Sequence, residues 1–270
     1  LSKSNQIVNY ERELNNDNYY DLAIIATPPY NHIDSFLRIK DKSKIALIEK
    51  PLTNDFKFIF GKEMEGYLKS NKILESLMYF HHPVWGEVKN LLSTKKITSI
   101  RSEFSVPHGD KNSFRYIKKY GGGSLNDQGI YPISLVSELI TKDYEIESIK
   151  IEKDKKYNVD LGGTIEINFN EISFTGKWGL GKEYKNYLVL KEASNKEYII
   201  NFFFSKPEDT KLKIEIKKDE DIEIGIFDQF ELMYSNLLQE NFSHFEYSSY
   251  ENVITRYKLF KKIFDLANTK

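Results

Sequence analysis

Two kinds of hydrophobic pattern follow one another along the chain. The apolar runs DLAIIAT (21–27) and KIALIE (44–49) are continuous, and the segment between them, IDSFLRIK (33–40), has helical spacing. A third run, KILESLMYF (72–80), follows a helical stretch for which Thr53 is the candidate N-cap. Because continuous apolar runs are typical of strands covered on both faces, this part predicts a parallel sheet with connecting helices.

Beyond residue 80 the pattern changes to short strands. Segments such as GGTIEINFNEISFTGKW, YKNYLVLKE and KLKIEIK follow one another with short polar connections. Such neighbours form antiparallel pairs, so this part predicts an α+β unit with a large, mostly antiparallel sheet. The predicted division is an α/β domain over residues 1–80 and an α+β domain over residues 81–270. We expect the helical C-terminal segment to pack back on the first domain.

Composition excludes several classes of protein. A chain of 270 residues with 40% hydrophobic residues is long enough for two cores. A net charge of -1 provides no overall field for nucleic acid or an anionic membrane, and no apolar run approaches the ~20 residues that span a bilayer. The absence of cysteine agrees with a cytoplasmic protein. Adjacent His81 and His82 direct their rings apart with no carboxylate at ligand spacing, so we expect no metal site.

Two stretches hold the candidate chemistry. Thr27 and Lys50 end neighbouring strands of the predicted parallel sheet, where loops from both strands face one crevice. The glycines Gly121–Gly123 let the backbone approach a ligand closely. Asp127 and Tyr131 follow at a spacing of four, which places them on one face of a helix. The proline after Tyr131 leaves two possibilities, a helix kink at Tyr131 or the start of the main helix there.

Three motifs together resemble a known family. IIATPPYNH (24–32), IEKPL (48–52) and GGGSLNDQGIY (121–131), in this order and at these separations, are similar to the glucose-fructose oxidoreductase, inositol dehydrogenase and rhizopine-catabolism family. The resemblance implies a Rossmann domain followed by a domain with a large, mostly antiparallel sheet. It also implies NAD or NADP as cofactor, a sugar or nucleotide sugar as substrate, and a homodimer or homotetramer formed through the large sheet.

The resemblance implies a role for each site residue. Lys50 would contact both the nicotinamide ribose and the substrate, next to a Lys50–Pro51 bond that is often cis in relatives. Asp127 and Tyr131 would be the acidic and the proton-transfer residue, and tyrosine in place of the more frequent histidine favours a sugar ketone. The other implied residues are Thr27, Pro28, Pro29, His32 and Glu49 for the cofactor, and Asn126 with Asp127 for the substrate.

Two positions near these motifs stand apart. Arg115, in the segment SFRY ahead of the glycines, is a further candidate to bind a phosphate or hydroxyl group of the substrate. Phe80 stands where the family pattern has an arginine, so the substrate contacts expected there are missing.

Carbonyl reduction explains why an ammonium and a phenol are useful together. Hydride addition places negative charge on the carbonyl oxygen, which Lys50 stabilises while Tyr131 supplies a proton. We expect the nearby ammonium to lower the pKa of the Tyr131 phenol, and the same coupling to lower the pKa of Lys50.

The resemblance also implies a segment that the sequence does not hold. A family member has a strand, a G-x-G-x-x-G turn and a helix well ahead of IIATPP, whereas here no glycine precedes that motif. We therefore expect the chain to be a fragment or incompletely numbered, and to bind a dinucleotide poorly if nothing precedes it.

Two alternative functions stay open. The chain could be a catalytically inactive sugar-binding or assembly subunit of the same fold. It could also be a glycosidase-like or epimerase-like relative in which bound NAD is oxidised and re-reduced within one cycle. The sequence leaves the particular sugar and the choice between NAD and NADP undecided.

Overall fold

The computed structural model describes residues 18–140, 143–207, 209–217 and 219–268. The expectation of a missing glycine-rich turn concerns residues 1–17, which lie outside these ranges. Among the described residues, no helix is long and apolar enough to span a bilayer.

The first part of the chain forms a parallel sheet, as the continuous apolar runs predict. Its strands β1 (Tyr20–Ile25), β2 (Ser43–Glu49) and β3 (Ile73–Ser76) lie in the order β1-β2-β3 and pair in parallel. Helix α1 (His32–Ile39) connects β1 to β2. The third strand ends earlier than its apolar run, because residues Met78–His81 form a 3-10 turn that leads into the next helix.

Two short helices replace the single helix predicted between β2 and β3. Helix α2 (Phe56–Ile59) is capped by Asp55, whose carboxylate accepts from the backbone N–H groups of Lys57 and Phe58. Helix α3 (Lys62–Lys69) begins after Gly61. Thr53 is therefore not the helix cap; its hydroxyl instead accepts from the backbone N–H of Asp55 at 2.9 Å.

The second part forms a sheet of eight strands. They are β4 (Ile97–Val106), β5 (Tyr144–Asp154), β6 (Val159–Phe169), β7 (Ile172–Leu180), β8 (Lys185–Glu192), β9 (Glu197–Asn201), β10 (Lys211–Ile216) and β11 (Ile222–Ile226). Their order in the sheet is β11-β10-β9-β8-β4-β7-β6-β5. Only the pair β4–β7 is parallel among the described pairs of this sheet, so the prediction of a mostly antiparallel sheet is confirmed.

Helices cover the core and join the two sheets. The remaining helices are α4 (Pro83–Thr94), α5 (Ile130–Leu139), α6 (Gln229–Leu238) and α7 (Tyr250–Asn268). Helix α7 packs on α5, and it also reaches α2, where the Phe56 ring lies 5.3 Å from the Phe264 ring. One buried apolar cluster runs through both parts of the chain.

The segment after the three glycines enters α5 through a π-helical turn over Leu125–Gly129. The main helix then begins at Ile130, so Tyr131 and Pro132 lie in its first turn. The helical backbone is already formed before Pro132, because the Ile130 backbone N–H donates to the Leu125 oxygen within the π-helical turn. Of the two possibilities, the structure favours the irregular helix: Tyr131 and Pro132 directly follow the change from π to α geometry, and π-bulges are common sites of helix kinks.

A buried ion pair ties the C-terminal helix to the first sheet. Arg256 Nη2 on α7 lies 2.7 Å from Glu75 Oε2 on β3, and both side chains are fully buried. The other oxygen, Glu75 Oε1, accepts from the Leu52 backbone N–H at 2.9 Å and from the Tyr257 hydroxyl at 2.9 Å. Because Leu52 follows the Lys50–Pro51 bond, this network fixes the backbone that leads away from Lys50.

Candidate active site

A cleft of about 290 Å³ lies between the carboxyl ends of β1 and β2 and the glycine-rich segment. It brings together the three motifs that the sequence singles out. The first sheet contributes Thr27, Pro28, Pro29, Glu49 and Lys50, and the second part contributes Phe114, Arg115, Gly121–Gly123, Asn126 and Asp127. Ligands of open parallel sheets bind at this edge, so the cleft is the candidate active site.

Lys50 lies at the centre of the cleft. Its ammonium donates to the Asp127 backbone oxygen at 2.7 Å and to Asp127 Oδ1 at 3.0 Å. The same nitrogen lies 5.0 Å from the centroid of the Tyr131 ring. Lys50 comes directly after β2 and is joined to Pro51 by a cis bond, the form that the family resemblance implies.

The Asp127 carboxylate accepts hydrogen bonds from three side chains, two of them cationic and one an amide. Besides Lys50, its carboxylate accepts from Arg115 Nε and, at 2.6 Å, from Gln128 Nε2. Burial of this carboxyl favours the neutral form, but the charges of Lys50 and Arg115 outweigh it and lower the pKa of Asp127 to about 2. The carboxylate is therefore ionised at neutral pH and holds the lysine in place.

The pKa shifts expected for Lys50 and Tyr131 are both wrong in direction. Burial works against the charged form of Lys50, but the adjacent Asp127 carboxylate outweighs it and raises the pKa of Lys50. Burial also raises the pKa of Tyr131, and the nearby Lys50 charge offsets this only in part. The site thus holds a permanent cation beside a phenol that keeps its proton.

The Tyr131 ring lies next to the Lys50 ammonium, but Tyr131 is not among the residues that line the cleft. Its ring is 4% exposed and packs against Phe104 and Phe204, with centroids at 4.8 and 5.6 Å. The only hydrogen-bond contact of its hydroxyl among the described residues is the Met78 sulfur at 4.0 Å. Its phenol is therefore adjacent to Lys50 and not held by a strong acceptor.

His32 lies behind the cleft wall and not on its surface. The side chain is fully buried, and its ring nitrogens lie 2.7 Å from the Thr27 oxygen and 2.9 Å from the Pro51 oxygen. This placement does not provide the direct cofactor contact predicted for His32. The ring instead links the loop after β1 to the loop after β2, and burial lowers its pKa.

Three further polar side chains that line the cleft differ in how many hydrogen-bond partners they have. Glu49 Oε1 accepts from the Ser76 hydroxyl at 3.1 Å. Asn126 Nδ2 donates to the Gly121 oxygen at 2.7 Å, whereas Asn126 Oδ1 is buried without a partner among the described residues. Thr27 Oγ1 is likewise buried and has no partner in that part of the chain. Both oxygens belong to residues that line the cleft, but the atoms themselves are shielded from solvent.

The glycine-rich segment shapes the opposite wall. Gly121 adopts a left-handed backbone with φ of 78°, and an added Cβ would lie 3.2 Å from the Pro29 Cβ. At Gly122 an added Cβ would lie 2.6 Å from the Phe114 oxygen. Only glycine fits both positions, and its use here brings the second part of the chain against the loop after β1.

Phe80, which stands at the position of the family's arginine, is not among the residues that line the cleft. It is buried and stacks on Tyr247 with ring centroids 4.8 Å apart. Pattern reasoning missed the buried contact of helix α6 with the first sheet, where the Met233 sulfur lies 3.8 Å from the Ser76 hydroxyl. The Glu75–Arg256 pair joins residues too far apart in sequence for any local motif to reveal it. Among the described residues no group of three acidic or histidine side chains could hold a metal ion.

No known family model matches the chain, but it is similar to curated sugar-nucleotide reductases. A dTDP-3,4-didehydro-2,6-dideoxy-alpha-D-glucose 3-reductase from Actinomadura kijaniata is 25% identical over 220 residues, which cover 78% of this chain and 65% of the enzyme. The enzyme of the same name from Streptomyces violaceoruber is 28% identical over 150 residues, which cover 53% of this chain and 43% of that enzyme. The chain spans less than two thirds of the length of these two relatives.

Solved structures share the fold. A 3-ketoreductase from Actinomadura kijaniata, in complex with NADP and TDP-benzene, matches with a TM-score of 0.82 and 21% identity over 96% of this chain and 82% of that chain. An aldose-aldose oxidoreductase from Caulobacter crescentus, complexed with glycerol, matches with a TM-score of 0.75 and 15% identity over 92% of this chain and 77% of that chain. The predicted fold class, a parallel sheet followed by a large, mostly antiparallel sheet, is confirmed.

Proposed function

We propose that the protein is an NAD(P)-dependent oxidoreductase that transfers hydride between nicotinamide and a sugar ketone or alcohol, with a sugar nucleotide as its substrate. One observation carries the proposal: the buried ammonium of Lys50 is held by Asp127 beside the protonated phenol of Tyr131. The similarity to curated sugar-nucleotide 3-reductases supports the substrate class.

The cleft fits the nicotinamide end of the proposed cofactor. Thr27 Oγ1 and Asn126 Oδ1 are buried oxygens that need partners, which ribose hydroxyl or carboxamide groups can provide. Thr27, Pro28, Glu49 and Lys50 would hold this end. When bound, the reduced nicotinamide supplies the hydride.

Lys50 stabilises the oxygen that gains charge. An ammonium has three protons, and two of them are used at the Asp127 backbone oxygen and carboxylate. The third is free to point at a substrate oxygen in the cleft. Because Asp127 raises the pKa of Lys50, the cation persists through the neutral range and is already oriented when the negative charge develops.

Tyr131 supplies the proton in our proposal. Burial keeps its phenol protonated, so in the reducing direction the hydroxyl can donate to the oxygen that Lys50 stabilises. Its ring contacts Lys50, and its hydroxyl has no acceptor better than a thioether among the described residues. Asp127 acts on the reaction indirectly, by fixing the lysine.

We also propose that the protein is cytoplasmic and assembles as a homodimer or homotetramer through the outward face of the large sheet. This face carries Arg101, whose side chain is 53% exposed and pairs with Glu197 at 2.9 Å. Arg101→Glu would place two acidic residues together on this face. We expect the variant to elute later than the wild type in size-exclusion chromatography; an unchanged elution volume would argue against this interface.

The proposed activity is tested with a keto sugar linked to dTDP and with NADPH or NADH, using protein expressed from its complete reading frame. The expected result is oxidation of the reduced nicotinamide that depends on the keto sugar. Binding without turnover would instead indicate an inactive sugar-binding subunit. Product formation without net change in reduced nicotinamide would indicate the epimerase-like or glycosidase-like alternative.

A further inference from the structure

A buried carboxylate at the start of β6 holds the segment that leads into the π-helical turn. Asp160 is 8% exposed, and its Oδ2 accepts from the Ser124 hydroxyl at 2.5 Å and from the Leu125 backbone N–H at 2.6 Å. Burial raises the pKa of Asp160, and these two hydrogen bonds work against the rise. The carboxylate is therefore stabilised by bonds with a defined direction, which fix the turn relative to β6.

The same carboxylate explains the third glycine of the glycine-rich segment. Gly123 has a φ of 120°, and a Cβ added there would overlap Asp160 Oδ1. Only glycine allows both this backbone conformation and so close an approach of the carboxylate. Asp160 thus lies against Gly123 and bonds the next two residues, Ser124 and Leu125.

These three residues lead directly to the group that holds Lys50. The Gly123 oxygen accepts from the Asp127 backbone N–H at 3.4 Å. Asp127 in turn accepts from the Lys50 ammonium through its backbone oxygen and its carboxylate. Because both acceptors belong to one residue, a shift at the start of the turn would move them together, and Lys50 with them.

We propose that Asp160 is a positioning residue, which fixes the start of the π-helical turn so that Asp127 holds Lys50 at the reacting oxygen. Asp160 is not among the residues that line the cleft, so it acts through Asp127 and not on the substrate. The proposal rests on the proposed function for the reaction that Lys50 serves. The effect of Asp160 on the Lys50 ammonium is measurable without turnover, and a role in stability alone would leave that ammonium unchanged.

Competitive labelling of the lysines with acetic anhydride, measured by mass spectrometry, tests the positioning role. Only the unprotonated amine reacts, and a fall of one unit in pKa makes that form about tenfold more abundant. We compare the labelling of Lys50 with that of the exposed Lys95 in the same protein. Asp160→Ala should raise this ratio by roughly tenfold, because Asp127 then holds the ammonium less firmly. Asp160→Asn retains one acceptor oxygen and should raise the ratio less.

Asp154→Ala is the matched control. Asp154, at the end of β5, also accepts from two backbone N–H groups, those of Lys156 and Tyr157, both at 2.8 Å. It caps the turn that carries the exposed Lys155, and none of these residues lines the cleft. Loss of the carboxylate should lower the thermal unfolding midpoint in both alanine variants, whereas only Asp160→Ala should change the labelling of Lys50.

The outcomes separate positioning from stability and from catalysis. If Asp160→Ala does not fold, Ser124→Ala removes only one of the two donors and should give a smaller rise in Lys50 labelling. Unchanged labelling in these folded variants, or an equal rise in Asp154→Ala, would overturn the positioning role. A rise in a protein that reduces no keto sugar would keep that role and reject the oxidoreductase. Reduction of a keto sugar with the same kcat in the wild type and in Asp160→Ala would keep the oxidoreductase and overturn the positioning role.

Discussion

Lys50 and Asp127, 77 positions apart in sequence, are joined by two hydrogen bonds from one ammonium, to the backbone oxygen at 2.7 Å and to the carboxylate at 3.0 Å. The contact links the end of β2 to the π-helical turn ahead of α5. It therefore fixes the lysine relative to Tyr131, which lies in the first turn of that helix. The two sequence motifs act as one site because of this contact.

Removing the charge of Asp127 should expose the effect of burial on Lys50. In Asp127→Asn the lysine loses the carboxylate that raises its pKa, and burial then lowers that pKa. At high pH kcat/KM decreases because Lys50 loses its proton. We expect this decrease to begin at a lower pH in Asp127→Asn than in the wild type. Asp110→Asn, at an exposed loop position, is the control. If kcat/KM decreases over the same alkaline pH range in Asp127→Asn and in the wild type, the proposed role of Asp127 is contradicted.

The stability of the fold should depend on Glu138 between pH 4.5 and about 7. Burial outweighs the attraction of Arg256 and raises the pKa of Glu138 from 4.5 to about 7. The folded state therefore binds more protons than the unfolded state in this window, and the free energy of unfolding falls as pH rises through it. Glu138→Gln should remove this term, which is on the order of 3 kcal/mol.

Urea unfolding at about pH 5 and about pH 8 measures the effect of Glu138. The free energy of unfolding of the wild type should decrease between these two pH values, and that of Glu138→Gln should decrease less. The variant therefore becomes more stable relative to the wild type at the higher pH. Glu171→Gln, at an exposed turn, should show no such change. A difference between Glu138→Gln and the wild type that is the same at both pH values would disprove the assignment.

The Glu75–Arg256 pair should be costly to break and less costly to replace. Arg256→Met leaves a carboxylate buried without its cation, so we expect a loss of about 3–5 kcal/mol in the free energy of unfolding. The double variant Glu75→Gln, Arg256→Met removes the stranded charge and should recover part of that loss. A double-mutant cycle measured by denaturant unfolding checks the coupling, and simple additivity of the two changes would argue against it.

Two glycines should respond oppositely to alanine. Gly121→Ala places a Cβ against Pro29 in a left-handed conformation, which costs about 1–2 kcal/mol. Gly86 lies in α4 with no atom within 4 Å of an added Cβ, so Gly86→Ala should stabilise the protein by up to about 1 kcal/mol. Equal unfolding midpoints for the two variants would contradict the tight approach of the glycine-rich segment to the loop after β1.

Local sequence pattern predicts the sheets and the convergence of the motifs, because continuous or alternating apolar runs report which faces of a strand are buried. It also places Thr27 and Lys50 at one edge, since parallel strands end on the same side. It cannot reveal the parallel pairing of β4 with β7, which depends on chain segments far apart in sequence.

The pKa shifts and the position of His32 escape prediction for a different reason. The expected fall in the pKa of Lys50 has the wrong sign in any case, because an ionised phenol favours the ammonium and raises its pKa. The pKa of Tyr131 and the position of His32 depend on how the side chains pack, which only the folded structure sets. The ammonium near Tyr131 suggests a lowered pKa of the phenol, yet close packing against Phe104 and Phe204 gives burial the larger effect. His32 follows a strand-end loop like a surface residue, but the backbone oxygens of Thr27 and Pro51 enclose its ring.

Steady-state reduction of a dTDP-linked keto sugar by NADPH, followed by absorbance of the reduced nicotinamide, tests the proposed catalytic pair most directly. Lys50→Met and Tyr131→Phe are compared with the control Lys155→Met. We predict that kcat falls by roughly 10²–10⁴-fold in each of the first two variants and is unchanged in the control. If both Lys50→Met and Tyr131→Phe retain the kcat of the wild type, the assignment of these residues as the catalytic pair is contradicted.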